Sequence, residues 1–222
     1  MKVGIIAEGP ADVAVLINIL RGRLGLDGKD MLAIRPDLAR DETDLHEMAE
    51  AQFSNWGIVR QECVDRRRIA AFFEPFADER LIVIHIDTAE AELAGYDVKK
   101  PGRQEAGYAG KLRELVVEKI NAWLGGEHLA RIRHAVAVEE MDAWLLTLWS
   151  SHKDTGSRPD PKKDLKLALS KSNKLSDKER KKNSQLSAHD LYAKLSDPLR
   201  KRKNLDECAA RNESLRLFVE SL

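Results

Sequence analysis

The eight residues from Arg80 to Asp87 constrain the fold of this 222-residue chain more than any other stretch. They read Arg-Leu-Ile-Val-Ile-His-Ile-Asp, a nearly continuous apolar run with no alternation of apolar and polar residues. Such runs are typical of strands in parallel sheets, because helices cover both faces of those sheets. The run therefore predicts a buried parallel strand inside an α/β fold.

Three other short apolar segments are predicted as strands, and segments with helical spacing separate them. The strands are expected at 2–7, 30–35 and 132–138, and the helices at 11–24, 43–56, 66–76, 111–124 and 141–149. Gly22 and Gly25 are expected to mark the end of the first helix. The connections are too long for hairpins. We therefore predict a four-stranded parallel sheet with helices on both faces and right-handed crossovers.

Composition divides the chain near residue 150. Residues 1–150 are predicted to form the α/β domain, and Ser, Gly, Pro and charged residues between 150 and 160 are typical of a linker. Residues 151–222 are predicted to form a basic C-terminal helical appendage, with helices at 164–172, 187–195 and 205–222. The whole chain is formally neutral, but residues 150–203 contain sixteen Lys or Arg against seven Asp or Glu, a net charge of +9. A basic segment of this kind can hold a polyanion.

Several functional classes are disfavoured by the sequence. No apolar stretch approaches the roughly 18 residues of a membrane span, and Glu8 interrupts the apolar core that a signal peptide would need. We therefore expect a cytoplasmic protein without a membrane partner. Cys63 and Cys208 lack metal-ligand spacing and are expected to be free structural thiols. The sequence contains no P-loop, Rossmann glycine motif or Gly-x-Ser-x-Gly elbow.

Acidic residues stand where three of the predicted strands end. Glu8 follows the first strand, Asp87 closes the third, and Glu139 and Glu140 follow the fourth. Ligands of open α/β sheets bind at this carboxyl edge. Carboxylates without a His or Cys cluster favour hard cations such as Mg²⁺ or Mn²⁺, which hold phosphate oxygens in phosphodiester transfer. We therefore predict a metal-binding rim formed by Glu8, Asp87 and either Glu139 or Glu140.

Neighbouring residues are expected to surround this rim, although each has a simpler interpretation. Gly9 is expected to adopt backbone angles or contacts that a side chain would forbid. Further acids that could serve as reserve ligands or orient the ligands are Asp12, Glu90, Glu92 and Asp142. Taken singly, an acid here could merely cap a helix. His85, inside the apolar strand, is predicted to be a satisfied core histidine, and Trp144 and Trp149 are predicted to pack in the core.

These motifs resemble a known family. Glu8-Gly9 after the first strand, Asp87 after a hydrophobic third strand and acids after the fourth are similar to the TOPRIM arrangement of topoisomerases, primases and OLD-type nucleases. More narrowly, the chain resembles small stand-alone TOPRIM-like proteins of bacteria. That resemblance rests on Ile86-Asp87-Thr88 with Tyr96-Asp97-Val98, and on Glu139-Glu140-Met-Asp142-Ala-Trp144-Leu-Leu146. It covers roughly residues 1–150.

The resemblance implies an activity and roles for particular residues. Glu8 would act in general acid/base or metal chemistry, and Asp87 would bind Mg²⁺. Ala89 stands where the family has a second aspartate, so Glu90 or Glu92 would replace it or the metal would be held more weakly. The implied function is a Mg²⁺-dependent nuclease, a hydrolase similar to components of phage-defence or mobile-element systems. The alternative is a non-catalytic TOPRIM-like subunit that binds nucleic acid or a partner ATPase. A phosphate-handling domain of flavodoxin-like fold is a third interpretation.

The basic segment supplies candidate contacts to the backbone of DNA or RNA. Each Lys or Arg that neutralises a phosphate contributes a salt-sensitive attraction that does not depend on sequence. A solvated helix surface is the competing interpretation. The candidate contacts are Lys162, Lys163, Lys166, Lys181, Lys182, Arg200, Lys201, Arg202 and Lys203.

Overall fold

The structure is a computed structural model that describes residues 1–36, 55–74 and 79–222. Within these residues, four parallel strands form one sheet in the order β2-β1-β3-β4. The strands are β1 (Lys2–Ile6), β2 (Met31–Arg35), β3 (Arg80–Asp87) and β4 (Ile132–Ala137). The predicted α/β class and the parallel four-stranded sheet are thereby confirmed. The TOPRIM-like identity of the sheet stays a prediction.

Helices follow the strands and continue through the C-terminal part. Those up to residue 150 are α1 (Pro10–Leu24), α2 (Asn55–Asp65), α3 (Arg67–Phe73), α4 (Tyr108–Trp123) and α5 (Asp142–Trp149). The later ones are α6 (Pro161–Lys171), α7 (Asp177–Asn183), α8 (Ala188–Ser196), α9 (Arg202–Ala209) and α10 (Glu213–Ser221). Short 3-10 turns lie at Gly28–Asp30, Leu129–Arg131 and Asp197–Arg200. None of the helices in the described ranges is both long and apolar enough to cross a membrane.

The two faces of the sheet bury different sets of side chains, because successive residues of a strand point to opposite faces. On β3, Ile82, Ile84 and Ile86 belong to a core shared with α2, α3 and α4. Val83, on the opposite face, belongs to a core shared with β1, α1 and α5. Both faces of β3 are therefore covered, as its continuous apolar run predicts.

The helices beyond residue 150 pack on the sheet. Leu195, Leu199, Leu205 and Phe218 are fully or almost fully buried in the same core as β1 and α1. These helices complete the layer on one face of the sheet, and their apolar residues are part of the core that stabilises it. The domain boundary proposed at residue 150 stays a prediction, whereas the shared core is a feature of the structure.

Gly22 explains how closely α1 approaches the C-terminal part. A Cβ atom at this position would overlap the backbone carbonyl of Leu199, in the 3-10 turn Asp197–Arg200. The expectation that Gly22 marks the end of the helix is wrong, since the helix continues to Leu24. Gly25 is the residue that ends it, with φ of 67° in the left-handed region.

Two expectations about the C-terminal helices are also wrong. The helix predicted at 205–222 is two helices, because the side chain of Asn212 accepts a hydrogen bond from Leu215 N–H at 3.0 Å and starts α10. The basic run Lys178–Lys182, in the stretch between the helices predicted at 164–172 and 187–195, lies in a further helix, α7, which Ser176 caps together with Glu179. The helix predicted at 43–56 falls almost entirely outside the described residues.

Candidate functional site

Two of the predicted ligands meet at the carboxyl edge of the sheet. Glu8 follows β1, Asp87 ends β3, and the parallel register pairs Ile6 with Ile84. Glu8 Oε1 accepts a hydrogen bond from the backbone N–H of Asp87 at 2.6 Å. Tyr96 donates its hydroxyl to the backbone carbonyl of Asp87 at 3.1 Å. The pairing of β1 with β3 therefore brings the two acids together, as their positions after strands predict.

His85 lies beneath these acids, on the same face of β3 as Asp87. It is fully buried, with Nε2 3.3 Å from Asp87 Oδ1 and Nδ1 4.0 Å from Asp12 Oδ2. Among the described residues, neither ring nitrogen nor Asp87 Oδ1 has a hydrogen-bond partner. His85 is therefore a core histidine, as predicted, but it is not a satisfied one. Burial lowers the pKa of its imidazole, although the charge of Asp12 opposes this.

Asp12 reaches the site from the first turn of α1. Its Oδ2 accepts a hydrogen bond from the backbone N–H of Gly9 at 3.0 Å. Gly9 is extended, with φ of −151°, and an added Cβ would stand 3.5 Å from that oxygen, an ordinary contact. The expectation that a side chain is forbidden at Gly9 is therefore wrong. Gly9 contributes its N–H group, which any residue other than proline would also provide.

Asp142 and Glu140 approach from the turn after β4. Asp142 is buried at the start of α5 and accepts a hydrogen bond from the hydroxyl of Tyr192 at 2.8 Å. The charges of Asp142 and Glu140 both raise the pKa of Asp87, and Lys162 opposes them. No sequence pattern indicates Tyr192, because α8 reaches the site only through the tertiary fold.

Burial and mutual repulsion disfavour negative charge throughout this group. Burial raises the pKa of Glu8, and the neighbouring Asp87 raises it further. Burial likewise raises the pKa of Asp87 well above its usual range and that of Asp12 to about 6. The side chains of Asp12 and Asp87 keep 14% and 24% of their surface exposed, although Asp87 Oδ1 itself is buried. A bound divalent cation would favour the charged forms.

Glu139 and Glu140 have different surroundings. Glu139 has φ of 63° and is buried. Its Oε1 accepts hydrogen bonds from Arg103 Nη2 at 2.8 Å and from the Tyr108 hydroxyl at 2.6 Å, and its Oε2 accepts one from Lys100 Nζ at 3.0 Å. Two cations from the connection between β3 and α4 thus balance its charge. The metal or catalytic role of Glu139 stays a prediction, and Glu140 is the member of the pair that acts on Asp87.

The residues after Asp87 form a turn that is hydrogen-bonded to the segment following β4. The N–H groups of Thr88 and Ala89 both donate to the backbone carbonyl of Glu139, at 3.1 and 2.9 Å. Glu90 is exposed, and its charge contributes to the raised pKa of Glu8. Glu92 accepts a hydrogen bond from the backbone N–H of Lys100 at 3.2 Å. Of the two proposed substitutes for the missing aspartate, Glu90 is therefore the one that acts electrostatically on Glu8.

The side chains at this edge offer oxygen donors of the kind that divalent cations bind. Among the residues that the structure describes, no group of three or more His, Cys, Asp and Glu side chains is arranged to hold a metal ion. Asp87 Oδ1 is nevertheless a buried carboxylate oxygen without a hydrogen-bond partner. Carboxylate oxygens are the ligands that Mg²⁺ and Mn²⁺ prefer, and water can complete their coordination.

The nine predicted phosphate contacts fall into two groups. Arg200 pairs with Asp197 at 2.9 Å and donates from Nε to Asn18 Oδ1 at 2.7 Å, so it ties α1 to the turn before α9. The others are exposed and make no ion pair within 4 Å with any residue in the described ranges. They are Lys162, Lys163, Lys166, Lys181, Lys182, Lys201, Arg202 and Lys203. Exposed, unpaired cations are available to a polyanion.

Comparison of the chain with known proteins identified no relative. No protein-family model matches the chain, and neither curated protein sequences nor solved structures gave a significant match.

Proposed function

We propose that this chain is a nucleic-acid phosphodiesterase, a nuclease, that depends on Mg²⁺ or Mn²⁺. One observation supports the proposal above the others. Glu8, Asp12, Asp87 and Asp142 converge at the carboxyl edge of the sheet with raised pKa values, and no Lys or Arg in the described ranges forms an ion pair with them. Grouped carboxylates without a cationic partner are unfavourable for folding alone. Their grouping is explained if they bind a cation and do chemistry.

The residues have distinct roles in this proposal. Asp87 offers Oδ1 as a ligand, and Glu8 stands beside it, held in place by the Asp87 N–H group. A bound Mg²⁺ or Mn²⁺ would hold phosphate oxygens and stabilise the charge that develops on them. Burial raises the pKa of Glu8, which makes its carboxylate a stronger base for taking a proton from an attacking water. Tyr192 orients Asp142 through its hydroxyl.

The basic residues place a candidate binding surface next to the acids. Lys162 lies in the first turn of α6, and its charge partly offsets the burial that raises the pKa values of Asp87, Glu140 and Asp142. The other exposed cations of α6 and α7 continue the positive charge along the C-terminal part. A nucleic-acid backbone bound to this surface would have a phosphate within reach of the acidic edge. A cytoplasmic location in a bacterium fits such a substrate.

Ala89 favours a second function. It is exposed after β3 at the position where the TOPRIM pattern has its second aspartate, and its methyl group cannot bind a cation. A chain with a weakened metal site could serve as a non-catalytic TOPRIM-like subunit that binds nucleic acid or a partner ATPase. The two functions differ in one observable property. The enzyme cleaves nucleic acid alone with a cation, whereas the subunit binds without cleaving.

The test is a cleavage assay with purified protein, Mg²⁺ or Mn²⁺, and single- and double-stranded DNA and RNA. We expect wild-type protein to cleave at least one substrate and a chelator to stop the reaction. Glu8→Gln and Asp87→Asn should abolish cleavage, whereas Glu118→Gln, at an exposed carboxylate of α4, should retain it. Equal residual cleavage by wild type and both site variants would indicate contamination and reject the proposal. Binding without cleavage would favour the subunit.

A further inference from the structure

We propose that His85 Nε2 and Asp87 Oδ1 are neighbouring ligands of one divalent cation, and that the cation is therefore a first-row transition metal in preference to Mg²⁺. The inference rests on the proposed function for the location of the metal. It goes further by adding a nitrogen ligand and thereby naming the class of metal. Carboxylates alone, as the sequence predicts, would give an all-oxygen site.

The distance between the two atoms matches that between adjacent metal ligands. Ligands about 2.1 Å from a cation, at angles of roughly 90–109°, lie about 3.0–3.4 Å from each other. His85 Nε2 and Asp87 Oδ1 are 3.3 Å apart. Two protein ligands leave further positions to water and to the phosphate oxygens of a substrate. The site therefore does not require a third preformed protein ligand.

The contact does not meet the geometry of a hydrogen bond. The imidazole is fully buried, and neither His85 Nε2 nor Asp87 Oδ1 has a hydrogen-bond partner among the described residues. Buried polar groups without partners are rare in native proteins, because each loses its interactions with water. Two ligands of one cation both point at the cation and not at each other. A short contact between two unpartnered atoms is the geometry that such a pair would show.

The second ring nitrogen has the neighbour that a metal-bound histidine usually has. Histidine ligands commonly donate their other N–H group to a carboxylate, which fixes the tautomer and the ring orientation. His85 Nδ1 lies 4.0 Å from Asp12 Oδ2, and the backbone N–H of Gly9 holds that oxygen. A closure of about 1 Å would complete this hydrogen bond. Asp12 then orients His85, and His85 and Asp87 bind the cation.

The imidazole determines which cations suit the site. Mg²⁺ takes oxygen ligands, whereas imidazole nitrogen favours later metals, with affinity rising from Mn²⁺ through Fe²⁺ and Co²⁺. A mixed nitrogen and oxygen site should therefore bind Co²⁺ more tightly than Mn²⁺, and Mn²⁺ more tightly than Mg²⁺. An all-oxygen site would discriminate much less between Mn²⁺ and Mg²⁺.

The test uses Mn²⁺ alone as a spectroscopic probe of the full chain. Pulsed electron paramagnetic resonance detects ¹⁴N modulation from an imidazole bound directly to Mn²⁺, and labelling histidine with ¹⁵N changes that modulation without any substitution. We expect the nitrogen signal in wild type, its loss in His85→Gln, and an affinity for Mn²⁺ about 10–100-fold lower in that variant. The matched control is His134→Gln, since His134 lies on β4 and bonds to Asn121 at 2.9 Å. It should keep the signal.

The outcomes separate this inference from the proposed function. Bound Mn²⁺ without a nitrogen signal in wild type overturns the inference, and cleavage by the same preparation would leave the proposed function standing. A nitrogen signal that depends on His85, in protein that cleaves no nucleic acid, supports the inference and rejects the enzyme. Absence of Mn²⁺ binding, or a signal that survives in His85→Gln, also overturns the inference. A wild-type spectrum without the nitrogen signal overturns the inference even if His85→Gln fails to fold.

Discussion

The carboxylate of Glu8 and the backbone N–H of Asp87 are joined by a hydrogen bond of 2.6 Å that ties the end of β1 to the end of β3. This bond alone would lower the pKa of Glu8, because it favours the charged form. Burial and the charge of Asp87 outweigh it and raise the pKa. The native state therefore holds two carboxyl groups close together at a cost in stability, and a bound cation would reduce that cost.

Replacing Asp12 should stabilise the protein at neutral pH. Burial raises its pKa to about 6 in the native state, against about 3.9 in an unfolded chain. Between these values the native state binds more protons, so the contribution of Asp12 to stability falls as pH rises from about 4 to 6 and stays low above that range. We expect Asp12→Asn to increase the free energy of unfolding at pH 7.5 by roughly 1–3 kcal/mol. Urea denaturation at several pH values measures this.

Asp30→Asn is the matched control for that experiment. The hydrogen bond from Lys2 lowers the pKa of Asp30. The charged Asp30 carboxylate therefore stabilises the native state, which is the opposite of the effect of Asp12. That contribution is present above the unfolded pKa and is lost as pH falls through the lowered native pKa. A stability difference between wild type and Asp12→Asn that is the same at pH 3.5 and pH 7.5 would contradict our account of Asp12.

Removing the Glu139 carboxylate should destabilise the connection between β3 and α4. Glu139 is buried and pairs with Lys100 and Arg103, whose side chains are 17% and 35% exposed. Because these cations can partly turn to solvent, we expect Glu139→Gln to cost roughly 2–3 kcal/mol, somewhat less than breaking a fully buried pair. The exposed pair of Glu220 with Arg216 is the control, and Glu220→Gln should cost less than about 1 kcal/mol. Similar losses in the two variants would show that the ion pairs of Glu139 with Lys100 and Arg103 contribute little to the free energy of unfolding.

Gly22→Ala should destabilise the protein although alanine favours helices. The added methyl group would overlap the carbonyl of Leu199, and backbone cannot move aside cheaply. We expect a loss of about 1–3 kcal/mol from overpacking, measured by thermal or urea unfolding. Gly9→Ala is the control, because its methyl group would meet only Asp12 Oδ2 at 3.5 Å. If Gly22→Ala is as stable as wild type, α1 does not pack against the C-terminal part as described.

Neutralising exposed lysines should weaken binding to DNA or RNA without unfolding the chain. Deleting residues 153–222 is a poor test, because those residues share the core with β1 and α1. Lys163→Gln with Lys166→Gln changes two exposed side chains of α6. Each lost phosphate contact should reduce the slope of log affinity against log salt by about 1. The control is Lys29→Gln, outside the basic segment. If the salt dependence of binding is unchanged in the double variant, Lys163 and Lys166 belong to a solvated surface that does not contact phosphates.

The strands and their carboxyl edge were predictable, because local patterns determine them. The apolar run Arg80–Asp87 forms β3 with the predicted bounds, and Glu8 and Asp87 meet because parallel strands end at one edge. Trp144 is fully buried in the core, as its apolar neighbours predict. These features depend on residues close together in the sequence.

The features that escaped prediction depend on contacts between distant residues. Tyr192 bonds to Asp142 only because α8 packs against α1 and α5. His85 sits between Asp12 and Asp87 because the first turn of α1 comes close to the end of β3, which no spacing in the sequence reveals. In the sequence Gly22 resembles a residue that ends a helix, whereas in the structure it allows the backbone of Leu199 to approach α1 closely. The polarity pattern of a segment carries no information about which distant group will face it.

Titration of the protein with Mn²⁺ in a calorimeter tests the central claim that the acidic edge binds a divalent cation. We predict one saturable site in wild type, an affinity lower by at least about tenfold in Asp87→Asn, and unchanged binding in Glu118→Gln. Wild-type protein without saturable binding, or an Asp87→Asn isotherm that superimposes on that of wild type, would contradict the claim.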